Sequence, residues 1–132
     1  MATADVTVIG TPRWLVEGFA DYVGNLGSGQ TAAQAAPELR AEIAHGAVPA
    51  ALPTETDFAS TTRLAAVYQE AWLACRLIAI RGGQDALVHF YSSVADSSAT
   101  PQQAVAAAFL ALLHETQAAF VTQWQAYLRA QL

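Results

Sequence analysis

Residues 60–81, Ser60-Thr61-Thr62-Arg63-Leu64-Ala65-Ala66-Val67-Tyr68-Gln69-Glu70-Ala71-Trp72-Leu73-Ala74-Cys75-Arg76-Leu77-Ile78-Ala79-Ile80-Arg81, carry the longest clean helical pattern in this chain. Leu64, Val67, Trp72, Leu73, Leu77, Ile78 and Ile80 recur in steps of three and four, the period of one helical face. Gly82-Gly83 then ends the run, glycine being the usual helix terminator. The apolar sector is wide, which predicts a central helix with neighbours on several sides.

Downstream, residues 84–94 read as a short helix carrying Leu87, Phe90 and Tyr91, and Asp96-Ser97-Ser98 as a turn. Thr100-Pro101-Gln102-Gln103 supplies a cap, a first-turn proline and a capping-box glutamine. From there the pattern stays helical to Leu132. One helix of that length would outrun so small a domain, so a break is predicted at His114-Glu115-Thr116. Thr116 then caps a last helix through Phe120, Trp124 and Leu128.

Upstream, Pro49 and Pro53 exclude a long helix or a central strand from residues 47–58, which read as a loop. Residues 37–44 form a short helix with Pro37 in its first turn and Gly46 beyond its end. Its charges, Glu38, Arg40 and Glu42, are expected on a solvated face. Residues 31–36 are alanine-rich and fit a helical turn. Val6, Val8 and Ile9 form a β-prone patch, read as a short extended lead-in. The expectation is an all-α fold, a single helical domain over residues 1–132 built as a bundle of about five to six helices.

With 132 residues, 54% of them hydrophobic and 13% charged, the chain should form one folded core. A net charge of −5 and the lack of any lysine argue against nucleic acid or an anionic membrane as partner. No uninterrupted apolar run is long enough to span a bilayer, and the expectation is a soluble protein whose compartment is open. The single cysteine, Cys75, excludes an internal disulfide and a cysteine-based metal site.

Residues 11–26 form the first helix. Thr11 followed by Pro12 is read as its start, and Gly27 closes it. Within it Glu17 and Asp21 stand four residues apart and project from one face. Trp14, Leu15 and Phe19 pull the same helix into the core. Acids on a half-buried helix need a partner, and none of the arginines is read as standing at helical spacing to provide one. Gly18 costs about 1 kcal/mol of helix propensity relative to alanine. Its presence is explained if another backbone, or an ion, comes close there.

Trp14-Leu15-x-Glu17-Gly18-x-Ala20-x-Tyr22 resembles the second zinc-site motif of the gluzincin metallopeptidases, the peptidase MA-like group in which an HExxH helix precedes a helix carrying a glutamate ligand. The resemblance implies that Glu17 is a zinc ligand and that Asp21 is the acid that hydrogen-bonds a ligand histidine, the usual way a metal-bound imidazole is oriented. Leu52-Pro53-Thr54-Glu55-Thr56-Asp57-Phe58 resembles the corresponding segment of bacterial members. Tyr68, near the start of the long helix, resembles the tyrosine that donates to the oxyanion of the tetrahedral intermediate in the aminopeptidase branch. A terminal helix with a phenylalanine and a tryptophan on one face also matches. The matching part is the C-terminal, helical half of the peptidase domain.

The other half has no counterpart. His114-Glu115 begins like HExxH, but position 118 is alanine and the order is reversed. His45 and His89 have no histidine at ligand spacing either, and all three are expected at the surface or rim. A catalytic zinc needs three protein ligands and a nearby base. The expected function is therefore that of a truncated portion of a zinc-dependent metallopeptidase: Zn2+ and a peptide or protein substrate belong to the intact parent, and this segment alone is inactive without bound metal. The alternative is a non-catalytic helical interaction or dimerisation module. A fragment should self-associate through an exposed, acid-lined site face. A module should bury or pair Glu17, for instance with Arg63 or Arg76.

Overall fold

The computed structural model describes residues 10–132, all of whose regular structure is helical. The extended lead-in read from Val6, Val8 and Ile9 lies outside the described residues. In chain order the helices are α1 (Arg13–Asn25), α2 (Ala32–Ala35), α3 (Pro37–Ala44), α4 (Glu55–Phe58), α5 (Leu64–Gly82), α6 (Gln84–Asp96), α7 (Pro101–Leu113) and α8 (Gln117–Gln131). The all-α bundle is as expected. The number of helices is eight among the described residues rather than five or six, because α2 and α4 are one-turn helices of four residues each. Each owes its existence to a capping box, Thr31 with Gln34 and Thr54 with Asp57. The second of these lies inside the segment read as a plain loop.

α5 is the axis of the molecule and touches α1, α3, α4, α6, α7 and α8. Its residues Val67, Leu73 and Ile78 have no exposed surface. It begins at Leu64, four residues later than its pattern, since the Ser60 hydroxyl accepts the Arg63 N–H at 3.0 Å and holds residues 60–63 in a turn. Ile80, counted with the apolar sector, is 59% exposed. Gly83 ends α5 and opens α6 with φ of 95°, in the left-handed half of backbone space that suits glycine.

α6, α7 and α8 are joined by aromatic contacts. Phe109 of α7 lies 4.8 Å from Phe90 of α6 and 4.6 Å from Phe120 of α8, ring centre to ring centre. Trp14 of α1 meets the edge of Phe90. Phe120, Trp124 and Leu128 of α8 are wholly buried, as read. Trp124 Nε1 and the Tyr127 hydroxyl are buried without a hydrogen-bond partner among the described residues. The predicted break falls at His114, which adopts φ of 59° and ψ of 35°, and Thr116 caps α8 through the Ala119 N–H. α7 and α8 consequently bend by 71°. Among the described residues no single helix is long and apolar enough to cross a membrane.

Candidate functional site

At Gly18, α1 lies on α5 so closely that no side chain fits between them. A Cβ on Gly18 would stand 2.4 Å from the Ala71 carbonyl oxygen and 2.8 Å from Cys75 Sγ. Of the two reasons offered for a glycine here, close approach by another backbone is the one found. Trp14 and Leu15, one turn back, are buried beside it. With that face fixed on α5, Glu17 and Asp21 are carried to the rim of the interface, both partly exposed.

The start of α1 differs from its reading. Pro12 occupies the N-cap and Arg13 is the first helical residue, with no side-chain cap from Thr11. The Arg13 N–H is instead bound by the Glu55 carboxylate of α4 at 3.0 Å, a cap contributed from another helix. Anchored there, Arg13 sends its guanidinium forward along the helix. Its Nη2 donates to Glu17 Oε2 at 3.3 Å and to the Tyr68 hydroxyl oxygen at 3.4 Å. The guanidinium carbon lies over the Phe58 ring, 5.2 Å from its centre. Phe58 in turn meets Tyr68 edge to face.

Glu17 therefore has a helical partner, contrary to the sequence reading: Arg13 stands four residues before it. Neither Arg63 nor Arg76 reaches it. Arg63 is bound by Glu42 and Glu70, and Arg76 lies over Trp72. The structure thus brings Glu17, Asp21 and Tyr68 to one side of the α1–α5 seam, with Arg13 joining the first to the third. Burial, and secondarily the charge of Glu17, push the Asp21 carboxyl up from its ordinary value.

A second charged cluster was not anticipated. Glu70 of α5 is 3% exposed, and its Oε2 accepts from Arg63 Nη2 at 2.7 Å. The same arginine holds both oxygens of Glu42, at 2.8 and 2.7 Å, so that Glu42 faces α5 rather than solvent. Burial is the largest influence on Glu70 and, despite Arg63, pushes its pKa up to about 7. The cluster lines a cleft of about 520 Å³ closed by Pro49, Leu52 and Asp57. Its signal was legible, since Arg63 and Glu70 are seven residues apart and Glu70 stands between Val67 and Trp72 on the apolar sector.

The three histidines lie apart and exposed: His45 follows α3 and contacts its own Ala41 carbonyl, His89 is on α6, and His114 ends α7. Among the described residues no three His, Cys, Asp or Glu side chains stand close enough to share a metal ion. Glu17 is one carboxylate, already facing a guanidinium. By themselves these residues do not fit a zinc site. No protein-family model, curated protein or solved structure matches this chain.

Proposed function

We propose that this chain is the C-terminal, helical portion of a gluzincin-type zinc metallopeptidase, and that peptide-bond hydrolysis belongs to a longer polypeptide that contains it. The observation that supports this reading is the seating of the Trp14-to-Tyr22 helix. Gly18 locks it to α5, Glu17 and Asp21 stand together at the rim, and the Tyr68 hydroxyl lies on the same side through Arg13. In this reading Glu17 is the metal-ligand glutamate, Asp21 the acid that orients a ligand histidine, and Tyr68 the oxyanion donor. Two histidines and a glutamate base would come from sequence this chain does not contain. The chain alone is expected neither to hold Zn2+ nor to cleave peptides.

The test is the native protein recovered from its own cells, its intact mass measured and its peptides sequenced. A longer polypeptide with HExxH upstream of Trp14, whose peptidase activity is lost on chelation and in Glu17→Gln, supports the reading. A native product equal to this chain overturns it.

One observation favours the second reading, a non-catalytic interaction or dimerisation module. Glu17 is paired, as a module requires, although by Arg13 and not by the arginines expected. Sedimentation of this chain at rising concentration tests it. Since a fragment also self-associates through its exposed site face, the stoichiometry decides: a discrete, saturable dimer that Glu17→Arg abolishes supports a module, and open-ended association or a monomer throughout counts against it.

A further inference from the structure

Arg13 is held more firmly than an ordinary surface arginine. Its backbone N–H is bound by Glu55, its planar head lies on Phe58, and one nitrogen faces both Glu17 Oε2 and the Tyr68 oxygen. A guanidinium cannot lose its charge at any pH compatible with folding, and its donors are fixed in a plane. Its charge therefore stays where the fold aims it. The position it covers is the Glu17 carboxylate, the group that the peptidase reading places on a metal ion, with Asp21 one turn further on. Since Tyr68 accepts from Arg13, its own O–H remains free to donate elsewhere.

We propose that Arg13 is a built-in counter-ion: it occupies the Glu17 carboxylate, ties it to the Tyr68 hydroxyl across α1 and α5, and keeps divalent cations off Glu17 in this chain. The proposal deepens the peptidase reading and rests on it to the extent that Glu17 is the carboxylate a metal would seek. A cation reaches Glu17 only when the arginine head swings away. Such a swing first breaks the contacts to Glu17, Tyr68 and Phe58; the side chain is 39% exposed, so the head then has solvent to move into while its backbone stays pinned.

Zn2+ alone is the probe, titrated calorimetrically into this chain at low ionic strength, with circular dichroism recorded on every variant. Arg13→Met keeps an apolar stem over Phe58 and removes the charge, and should bind Zn2+ about tenfold more tightly than the wild type. Arg13→Lys should bind as weakly as the wild type. Glu17→Gln added to Arg13→Met should remove the gain. Equal affinity in the wild type and Arg13→Met overturns the proposal, and so does a gain that survives Glu17→Gln. A second readout does not depend on metal. The Tyr68 ring-carbon resonance next to the hydroxyl should move in both Arg13→Met and Glu17→Gln, because Glu17 helps to aim the guanidinium; no movement in Glu17→Gln overturns the coupling. Both readouts use this chain alone, so their failure is distinct from failure of the peptidase reading, which turns on the native polypeptide.

Discussion

A methyl group on residue 18 would meet the carbonyl oxygen of Ala71 at 2.4 Å, and a backbone atom in a packed helix cannot step aside. Gly18→Ala gains about 1 kcal/mol of helix propensity but incurs an overpacking cost of about 1–3 kcal/mol, raised here because the obstacle is main chain. The clash should win, giving a net loss of about 2 kcal/mol in urea unfolding. Gly24→Ala, in the same helix with nothing among the described residues within 4 Å, should instead gain about 0.5–1 kcal/mol. Opposite signs for the two glycines are the check. Glu70 gives a pH effect. Its folded pKa is raised from an ordinary 4.5 to about 7, so the folded state holds the proton more tightly than the unfolded chain. This contribution is fully present below about pH 4.5 and is lost as pH rises through about 7, a fall on the order of 3 kcal/mol from this group. Denaturant midpoints of Glu70→Gln should lack that fall. Asp21, also raised by burial, contributes with the same sign.

At the scale of helices, the junction of α7 and α8 stores conformational cost in one residue. His114 has a left-handed backbone with φ of 59°, a region that disfavours residues with a Cβ. His114→Gly should stabilise the protein by about 0.5–1 kcal/mol, read as a higher urea midpoint with unchanged slope. The break itself was legible, because Thr116 caps α8 from within three residues of sequence. Pro37 and the Thr100-Pro101-x-Gln103 signal likewise placed two helix starts correctly. Signals that act across the fold were not legible. The cap of α1 comes from Glu55, 42 residues away, and no local rule links the two. Exposure of Ile80 depends on which neighbours α5 lacks at its far end, which periodicity does not contain. In the site, Glu17 and Asp21 were placed on one face by spacing alone. The Arg13–Glu17 pair obeys the same spacing rule and is legible in the sequence, whereas the reach of Arg13 to Tyr68 requires the fold.

For the molecule as a whole, Phe109 is the joint between the last three helices, with Phe90 on one side and Phe120 on the other. Phe109→Ala should cost about 3–5 kcal/mol, a large share of the roughly 5–15 kcal/mol that holds a domain together. Loss of near-ultraviolet circular dichroism at moderate temperature, ahead of the wild type, is the expected observation. At the seam of α1 and α5, where Trp14 and Phe19 of α1 also meet Phe90 and Tyr91 of α6, the closest contact is of another kind, a glycine against a carbonyl. Cys75 sits directly under that contact, without exposed surface and with its thiol pushed up by burial, so no thiolate is available while α1 is seated. The chain has one thiol, and α1 covers it. The rate at which a thiol reagent labels the native protein is therefore a clock for the lifting of α1, recording in real time how often the seam between the two helices opens and shuts.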